Sequence, residues 1–338
     1  MGKAHPKSKV LRDYCKKYPD LPHATLARMV YAAHPKTFST LAAVRMGIAY
    51  QRGIRKNGRG EYIKEPIPYT GDSGNTTRYQ YRAPKSHKVD IEDFRVFGSQ
   101  RVLRLSDIHY PFHDERALEA AIEYGIKRDP TILLLGGDII DCHDLSDHDR
   151  DPRHRYTEVE LNMIGDELAQ FKAAFPKARI IWQEGNHEHR LKRYLMRKAP
   201  ELWGLPMLDI PGLVTIMNGP EAMMGVEWVD ECRAIHLGHL ACLHGHEFRG
   251  GGGVNPARWL FLRTGENALC GHFHRTSEHS EQTLSRKQVG TWTSGCLCEM
   301  RPPYLRNNKW NHGFQWIDVE QDGKFRVKNI RVLDGKIY

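Results

Sequence analysis

The chain has 338 residues, more than a single ordinary core accommodates, so one large domain with a small module beside it is expected. Hydrophobic residues make up 40% and charged residues 27%, which is enough apolar material for a core and too much for a disordered chain. No segment approaches the ~20 apolar residues of a membrane span, and the basic N-terminus lacks the apolar run of a signal peptide, so neither insertion nor export is expected.

The net charge of +9 is unevenly spread. Residues 1 to 100 hold 19 Lys/Arg against 8 Asp/Glu, a balance of +11, which leaves −2 for residues 101 to 338. A positive module on a near-neutral body suggests an anionic polymer as partner, DNA or RNA ahead of a membrane surface, while a merely solvated face is the plain alternative. The seven cysteines are scattered without a Cys-x-x-Cys pair, which argues against a disulfide scaffold or zinc ribbon and fits a reducing cytoplasm.

Along the chain, helical patterns come first, at about Ser8 to Lys17, Ala24 to Ala33 and Ser39 to Gln51. In the second, Leu26, Met29, Val30 and Ala33 share one face; in the third, Leu41, Val44 and Ile48 do so behind a Ser39 cap. Residues 1–52 are thus expected to be a small all-α basic module. The third helix carries Arg45 and runs into Arg52, Arg55, Lys56 and Arg59, which suggests a helix-turn-helix with these five as nucleic-acid-binding candidates. A three-helix docking or oligomerisation module fits the same pattern. Residues 53–98, rich in Gly, Pro and basic residues without periodicity, are expected to be a linker, although Arg78, Tyr79, Tyr81 and Arg82 could also follow a nucleic acid strand.

From residue 99 the pattern becomes α/β. Strands are expected at Arg101 to Leu105, Ile132 to Leu135, Ile180 to Gln183, His239 to Leu243 and Ala268 to Cys270. Helices are expected at Glu115 to Lys127, Glu158 to Ala174, Glu188 to Arg197 and Pro256 to Thr264, the last with Asn255 as cap and Pro256 at its first position. The segment Gly313 to Val332 alternates like a hairpin, closed at Asp322-Gly323.

The chemistry-bearing residues follow those strands: Asp107 and His109, Asp138, Asn186 and His187, His244, then His272 and His274. Loops at the carboxyl ends of one sheet converge in space, and divalent first-row metals accept such mixed imidazole and carboxylate donors. A carboxylate bridging two ions makes a two-metal centre. A lone His is more often a structural hydrogen-bonder, so the weight rests on the set.

The segments Asp107-Ile108-His109, Gly137-Asp138-Ile139-Ile140-Asp141, Gly185-Asn186-His187-Glu188, His244-Gly245-His246 and Gly271-His272-Phe273-His274 together resemble the calcineurin-like metallophosphoesterase signature, in the family's order. The resemblance covers about residues 100 to 320 and implies a four-layer αββα sandwich over a domain of residues 99–338. It further implies that Asp107, His109 and His274 hold one divalent metal, that Asn186, His244 and His272 hold a second, and that Asp138 bridges them. In such a centre a metal-bridging hydroxide attacks phosphorus in line while His187 acts as general acid. Manganese is the metal this resemblance favours, with iron, zinc, nickel and magnesium open.

Asp141, Arg190 and His246 are candidates for orienting the ligands or touching substrate, with loop capping or a salt bridge as the plainer roles for the first two. A His/Asp-rich loop, with His143, His148 and His154 among Asp144, Asp147, Asp149 and Asp151, could take surplus metal, although a solvated loop is the default. Where the protein serine/threonine phosphatase branch has Arg-Gly after its Gly-Asp-x-Val-Asp, this chain has Cys142-His143, which lowers the expectation of a protein phosphatase. The layout, a small helical head and a phosphoesterase ending in Ser294-Gly295-Cys296-Leu297-Cys298, resembles phosphoesterases of bacteriophages and prophages. Joined to the +11 head, it makes a phosphodiesterase or nuclease acting on DNA in the host cytoplasm the leading expectation. A small-molecule nucleotide phosphoesterase comes next, and a non-catalytic DNA-binding scaffold last.

Overall fold

The computed structural model describes residues 6–71, 83–87, 91–148, 153, 155–230, 233–250, 253–303 and 305–338. The chain divides into two units between residues 88 and 89. The first holds α1 (Pro6–Lys17), α2 (His23–Ala33) and α3 (Leu41–Gln51). Leu11, Cys15, Leu26, Ala27, Val30, Val44 and Ile48 recur at helical spacing and close one small core. The cap of α3 is Thr40 and not the expected Ser39: the Thr40 hydroxyl accepts from Ala43 N at 3.1 Å.

The segment after α3 returns to that core. Ile67 packs into it and donates from its backbone to Gln51 O at 2.9 Å, and Thr70 N donates to Pro19 O at 3.1 Å. Arg78, Tyr79, Tyr81 and Arg82 lie outside the described residues.

The second unit runs β1 (Phe94–Val96), β2 (Gln100–Leu105), α4 (Glu115–Ile126), β3 (Ile132–Gly136), α5 (Thr157–Ala174), β4 (Arg179–Gln183), α6 (His189–Lys198), α7 (Ile210–Asn218), α8 (Pro220–Met223), β5 (Val226–Val229), β6 (Ile235–Leu237), β7 (Leu240–Cys242), α9 (Pro256–Thr264), β8 (Ala268–Cys270), β9 (Ser277–Gln282), β10 (Gln288–Thr293), β11 (His312–Val319), β12 (Phe325–Leu333) and β13 (Lys336–Ile337). One sheet has the order β13-β12-β11-β2-β3-β4-β5, with β2 to β5 parallel; the other has the order β1-β6-β7-β8-β10-β9. Strand β1 falls inside the stretch whose composition suggests a linker; it pairs in parallel with β6, Phe94 opposite Ile235.

The four layers follow from period-two alternation. Leu103, Leu105, Leu133, Leu135 and Trp182 point to one face and pack under Leu118, Ala121, Ile164 and Leu168 of the helices. Val102, Ile132, Leu134 and Ile181 point to the other and meet Ile235, Leu237, Leu240 and Leu269 of the second sheet. Leu260 of α9 covers Ala268 and Cys270 on that sheet's outer side. Asn255 caps α9 as expected, accepting from Arg258 N at 2.9 Å, and the hairpin between β11 and β12 turns at Asp322-Gly323 with Gly323 N donating to Glu320 O at 2.9 Å. The six described cysteines are free thiols, all buried.

Candidate metal centre

Strands β2, β3 and β4 of one sheet and β7 and β8 of the other end at a shared rim, and within four residues of those ends lie Asp107 and His109, Asp138, Asn186 and His187, His244, and His272 and His274. Arg104, fully buried beneath the rim, joins the two sheets: its Nη2 donates to Gly136 O at 3.2 Å and Leu243 O at 3.1 Å, and its Nη1 to Gln315 Oε1 at 3.1 Å. Those two carbonyls end the strands that lead to Asp138 and His244, so the guanidinium fixes the spacing between the loops. Burial lowers its pKa, and nearby Asp107 pushes the other way.

Five of the rim residues have left-handed backbones, with φ of 55° at Asp107, 55° at His109, 52° at Asp138, 64° at His272 and 54° at His274. L-residues adopt this region at a cost, and such strain persists where the surroundings over-determine it. Here the bracing is explicit. Asp107 N donates to Gly137 O and His109 N to Asp138 O, both at 3.0 Å, while the Asp107 carboxylate accepts from His272 N at 2.9 Å. Buried Glu188 gathers Gly185 N at 2.9 Å, Asp138 N at 2.9 Å and Ile139 N at 2.7 Å, tying the β3 and β4 loops to one carboxylate. Burial and the neighbouring Asp138 push Glu188 up to about 7 despite these donors. Gly185 cannot carry a side chain, because a Cβ there would strike the Asp138 carboxylate.

Asp138 lies at the centre of the cluster. Its Oδ2 is 3.1 Å from His244 Nε2, 3.7 Å from His187 Nε2 and 3.8 Å from His109 Nε2. On one side, His109 Nε2 and His274 Nε2 are 3.3 Å apart and His274 Nε2 is 3.2 Å from Asp107 Oδ1; on the other, His244 Nε2 is 3.2 Å from Asn186 Oδ1. Donor atoms this far apart can share an ion about 2.1 Å from each. Among the described residues, three sets have donor atoms within 4.8 Å of one another: His109, Asp138 and His187; Asp138, His244 and His272; and His109, His274 and Cys298. The first two share Asp138, as a bridge between two cations requires, so the residues present fit a dimetal centre.

The electrostatics are those of a cation site. Burial alone would raise Asp107 and Asp138, but the imidazoles facing them bring both well below the usual carboxylate range. In turn, burial works against protonation of His244 and His274, yet Asp138 carries His244 up to about 10, and the surroundings of His274, Asp107 among them, carry it up to about 10. His272 goes the other way, to about 3, through burial and the charge of His244.

Asp141 is buried and orients three rings. Its Oδ1 is 2.9 Å from His109 Nδ1 and 3.0 Å from His187 Nδ1, and its Oδ2 is 3.5 Å from His143 Nδ1. Burial pushes its pKa up, but those imidazoles outweigh it and hold the carboxyl far below its ordinary value. His246 lies at the edge of the cluster, its ring 5.3 Å from that of His244. In the His/Asp-rich loop, Asp144 accepts from Tyr156 N and Thr157 N at 2.9 and 3.0 Å at the start of α5, and Asp147 pairs with the Arg193 and Arg197 side chains of α6; Asp149, Asp151 and His154 lie outside the described residues.

In the head, Arg45, Arg55, Lys56 and Arg59 are exposed. Arg52 is not: it is 4% exposed, donates to Tyr18 O at 3.2 Å and stacks on Tyr69 with 4.9 Å to the ring centroid. Its place among the nucleic-acid-binding candidates is therefore withdrawn. The supporting roles of Arg104, Glu188, Glu247 and Cys298 were not read from the sequence. Two signals were visible, Arg104 as a charge inside the apolar run Val102 to Leu105 and Glu188 as the last residue of the Gly185-Asn186-His187-Glu188 segment; Glu247, which accepts from His244 N at 2.9 Å, and Cys298, whose Sγ is 3.8 Å from His274 Nδ1, offered none as supports.

A strand-end cluster of this make-up on an αββα sandwich defines a metallophosphoesterase. The family model for the calcineurin-like phosphoesterases matches residues 100–292, and the chain belongs to that family: it is a metal-dependent phosphoric ester hydrolase of dimetal type. It is 26% identical over 248 residues to the Gene 54 protein of Mycobacterium phage L5, covering 66% of this chain and 90% of that protein. Among solved structures it is similar to the phosphoesterase Yfce from E. coli, at 12% identity and a TM-score of 0.30 over 69% of this chain and 100% of that one. A dimetal phosphatase from Danio rerio aligns at 12% identity and a TM-score of 0.34 over 68% and 95%. No helix among the described residues is long and apolar enough to cross a membrane.

Proposed function

We propose that this hydrolase is a phosphodiesterase or nuclease acting on DNA, with manganese as its working metal, in the cytoplasm of the cell where it is made. The observation that carries the catalytic half is the Asp138 carboxylate with imidazoles on either side of it. Asp107, His109 and His274 would hold one cation, Asn186, His244 and His272 the other, and Asp138 would be shared. When bound, the pair supplies Lewis acidity toward the phosphoryl oxygens and a nucleophile from water near neutral pH. His187 does the proton work. Its Nδ1 is 2.9 Å from the Asp141 carbonyl oxygen, which can only accept, so Nδ1 donates there and Nε2 is the atom left for the leaving oxygen.

The DNA half rests on charge. Arg28, Arg45, Arg55, Lys56 and Arg59 are exposed on the head of a chain whose first 100 residues balance to +11, as a phosphate-binding surface requires. The face of α3 that carries Arg45 and Met46 is the one this assignment would lay on DNA. Manganese is taken from the family resemblance and suits the oxygen donors, while the imidazoles suit iron, zinc or nickel as well.

The deciding experiment gives metal-loaded protein bis-p-nitrophenyl phosphate, p-nitrophenyl phosphate, single-stranded and duplex DNA, and a phosphopeptide. Turnover of the diester and of DNA is expected. Activity confined to the monoester, a nucleotide or the phosphopeptide would remove the nuclease assignment and leave a small-molecule or protein phosphatase in its place.

A further inference from the structure

Arg190 sits on the first turn of α6, three residues after His187, with 15% of its side chain exposed. Its Nη1 donates to the Asp141 carbonyl oxygen at 2.8 Å, and its Nη2 lies 3.2 Å from His187 Nε2. That imidazole nitrogen is itself 3.7 Å from Asp138 Oδ2. The guanidinium is therefore fixed with one prong on a neutral carbonyl while the other faces the atoms around which a phosphoryl group must be held.

Among the described residues Arg190 has one ion pair, a loose one to a carboxylate that three imidazoles already share. The nearest carboxylate, Asp141, stands 3.6 Å away through Oδ2, and its Oδ1 is already taken up by His109 and His187 at 2.9 and 3.0 Å. A cation held rigidly beside the centre, paired only at 3.6 Å with a shared carboxylate and with its second prong on an imidazole nitrogen, lacks the partner a guanidinium binds best, a bidentate oxyanion. That partner is a phosphate oxygen, which a fixed fork takes in preference to a ring nitrogen. A simple brace between α6 and the β3 loop would need only the Nη1 bond.

We infer that Arg190 is a catalytic residue whose Nη2 binds a non-bridging oxygen of the phosphoryl group being transferred, leaving His187 Nε2 as substrate enters. This rests on the phosphoesterase assignment for the reaction but on the geometry alone for the anion. One hydrogen bond to nitrogen is exchanged for a charge-assisted one to oxygen that strengthens as negative charge builds there, and His187 Nε2, freed of that donor, takes from the attacking water the proton it delivers to the leaving oxygen.

The test uses the full-length, metal-loaded protein with inorganic phosphate as probe, read by calorimetry, and bis-p-nitrophenyl phosphate as substrate. R190A is expected to keep its metal content, to bind phosphate at least tenfold more weakly and to lose on the order of 10²- to 10³-fold in kcat, the usual toll for one oxyanion donor. R190K should recover part of the loss, and guanidinium added at millimolar concentration should restore turnover to R190A. Neither effect belongs to a brace. Wild-type phosphate affinity in R190A would overturn the inference, as would a loss of turnover that guanidinium leaves untouched. Should R190A fail to fold, R190Q is read in its place, and wild-type phosphate binding in it would overturn the inference. If wild-type protein cleaves no ester yet Arg190 still governs phosphate affinity, the proposed reaction fails and the anion assignment stands.

Discussion

Asp138 and His187 stand 3.7 Å apart, yet their surroundings assign them different work. Asp138 is buried with histidines on either side, so its removal takes away a donor that both halves of the centre share. His187 Nε2 lies about as far from that carboxylate as His109 Nε2 does, 3.7 against 3.8 Å, and in the proposed function it is the ring kept for the leaving oxygen, with Nδ1 held on the Asp141 carbonyl. D138A is therefore expected to lose bound metal and turnover together, whereas H187A should keep its metal and lose about 10²- to 10⁴-fold in kcat, the range of a general acid. Elemental analysis beside kinetics checks this; two metals per chain retained in D138A would end the bridging assignment. The residues that gather at the rim were legible because each sits in a short motif behind an apolar strand. Their supports were not, because Glu188 and Glu247 act on backbone N–H groups, and such a contact leaves no mark in side-chain spacing. Arg104 was visible as an oddity in its strand, but only the second sheet, brought over it by folding, gives that charge its partners.

At the scale of elements, the strands that the sequence marks are those buried on both faces. Strands β2, β3 and β4 read as apolar runs because helices cover one side and the second sheet the other. Strand β9, Ser-Glu-His-Ser-Glu-Gln, lies at a sheet edge with its side chains mostly exposed, so no alternation announces it; its place is fixed by pairing with β10. Helix α5 was legible too, but not the job of its buried Glu160, whose carboxylate accepts from His143 N at 3.0 Å at the end of the loop that carries Asp141. Burial pushes Glu160 up to about 8 from an ordinary 4.5, with Asp141 and Asp144 adding to the rise against the backbone donors His143 and Cys142. The folded state thus keeps a proton that the unfolded chain releases above pH 4.5, so this group's stabilisation is complete below that pH and drains away as the pH climbs to 8. E160Q imitates the protonated form and should escape the loss. Thermal midpoints at fixed metal loading should coincide for E160Q and wild type near pH 4.5 and separate, with E160Q the higher, toward pH 8; curves that stay parallel would show that Glu160 ionises normally.

Over the whole molecule, the basic N-terminal third was plain from composition, but its individual charges were not equivalent, and only folding separates them. Arg52 is consumed by the head's own architecture, held on the Tyr18 and Pro19 carbonyls and stacked on Tyr69, whereas Arg45, Arg55, Lys56 and Arg59 remain exposed. Adjacent residues at the end of one helix therefore have opposite fates, and the difference lies in the segment that returns to the head through Ile67 and Thr70. That return also makes deletion of the head a poor probe, since it would strip Ile67 and Tyr69 of the surface they pack on. Charge removal at the surface is cleaner. With Arg45, Arg55, Lys56 and Arg59 changed to Ala together, DNA affinity measured over a salt series should fall, and the slope of log K against log salt should become shallower by roughly 0.9 for each duplex phosphate no longer neutralised. R52A should behave differently: it is expected to lower the melting temperature of the head, because it removes the buried side chain that ties α3 to the Tyr18 and Pro19 carbonyls and stacks on Tyr69, and to leave the salt slope unchanged wherever the head stays folded. An unaltered slope in the quadruple variant would place the DNA-binding surface outside the head, and a shallower slope in folded R52A would mean that Arg52 reaches phosphate after all.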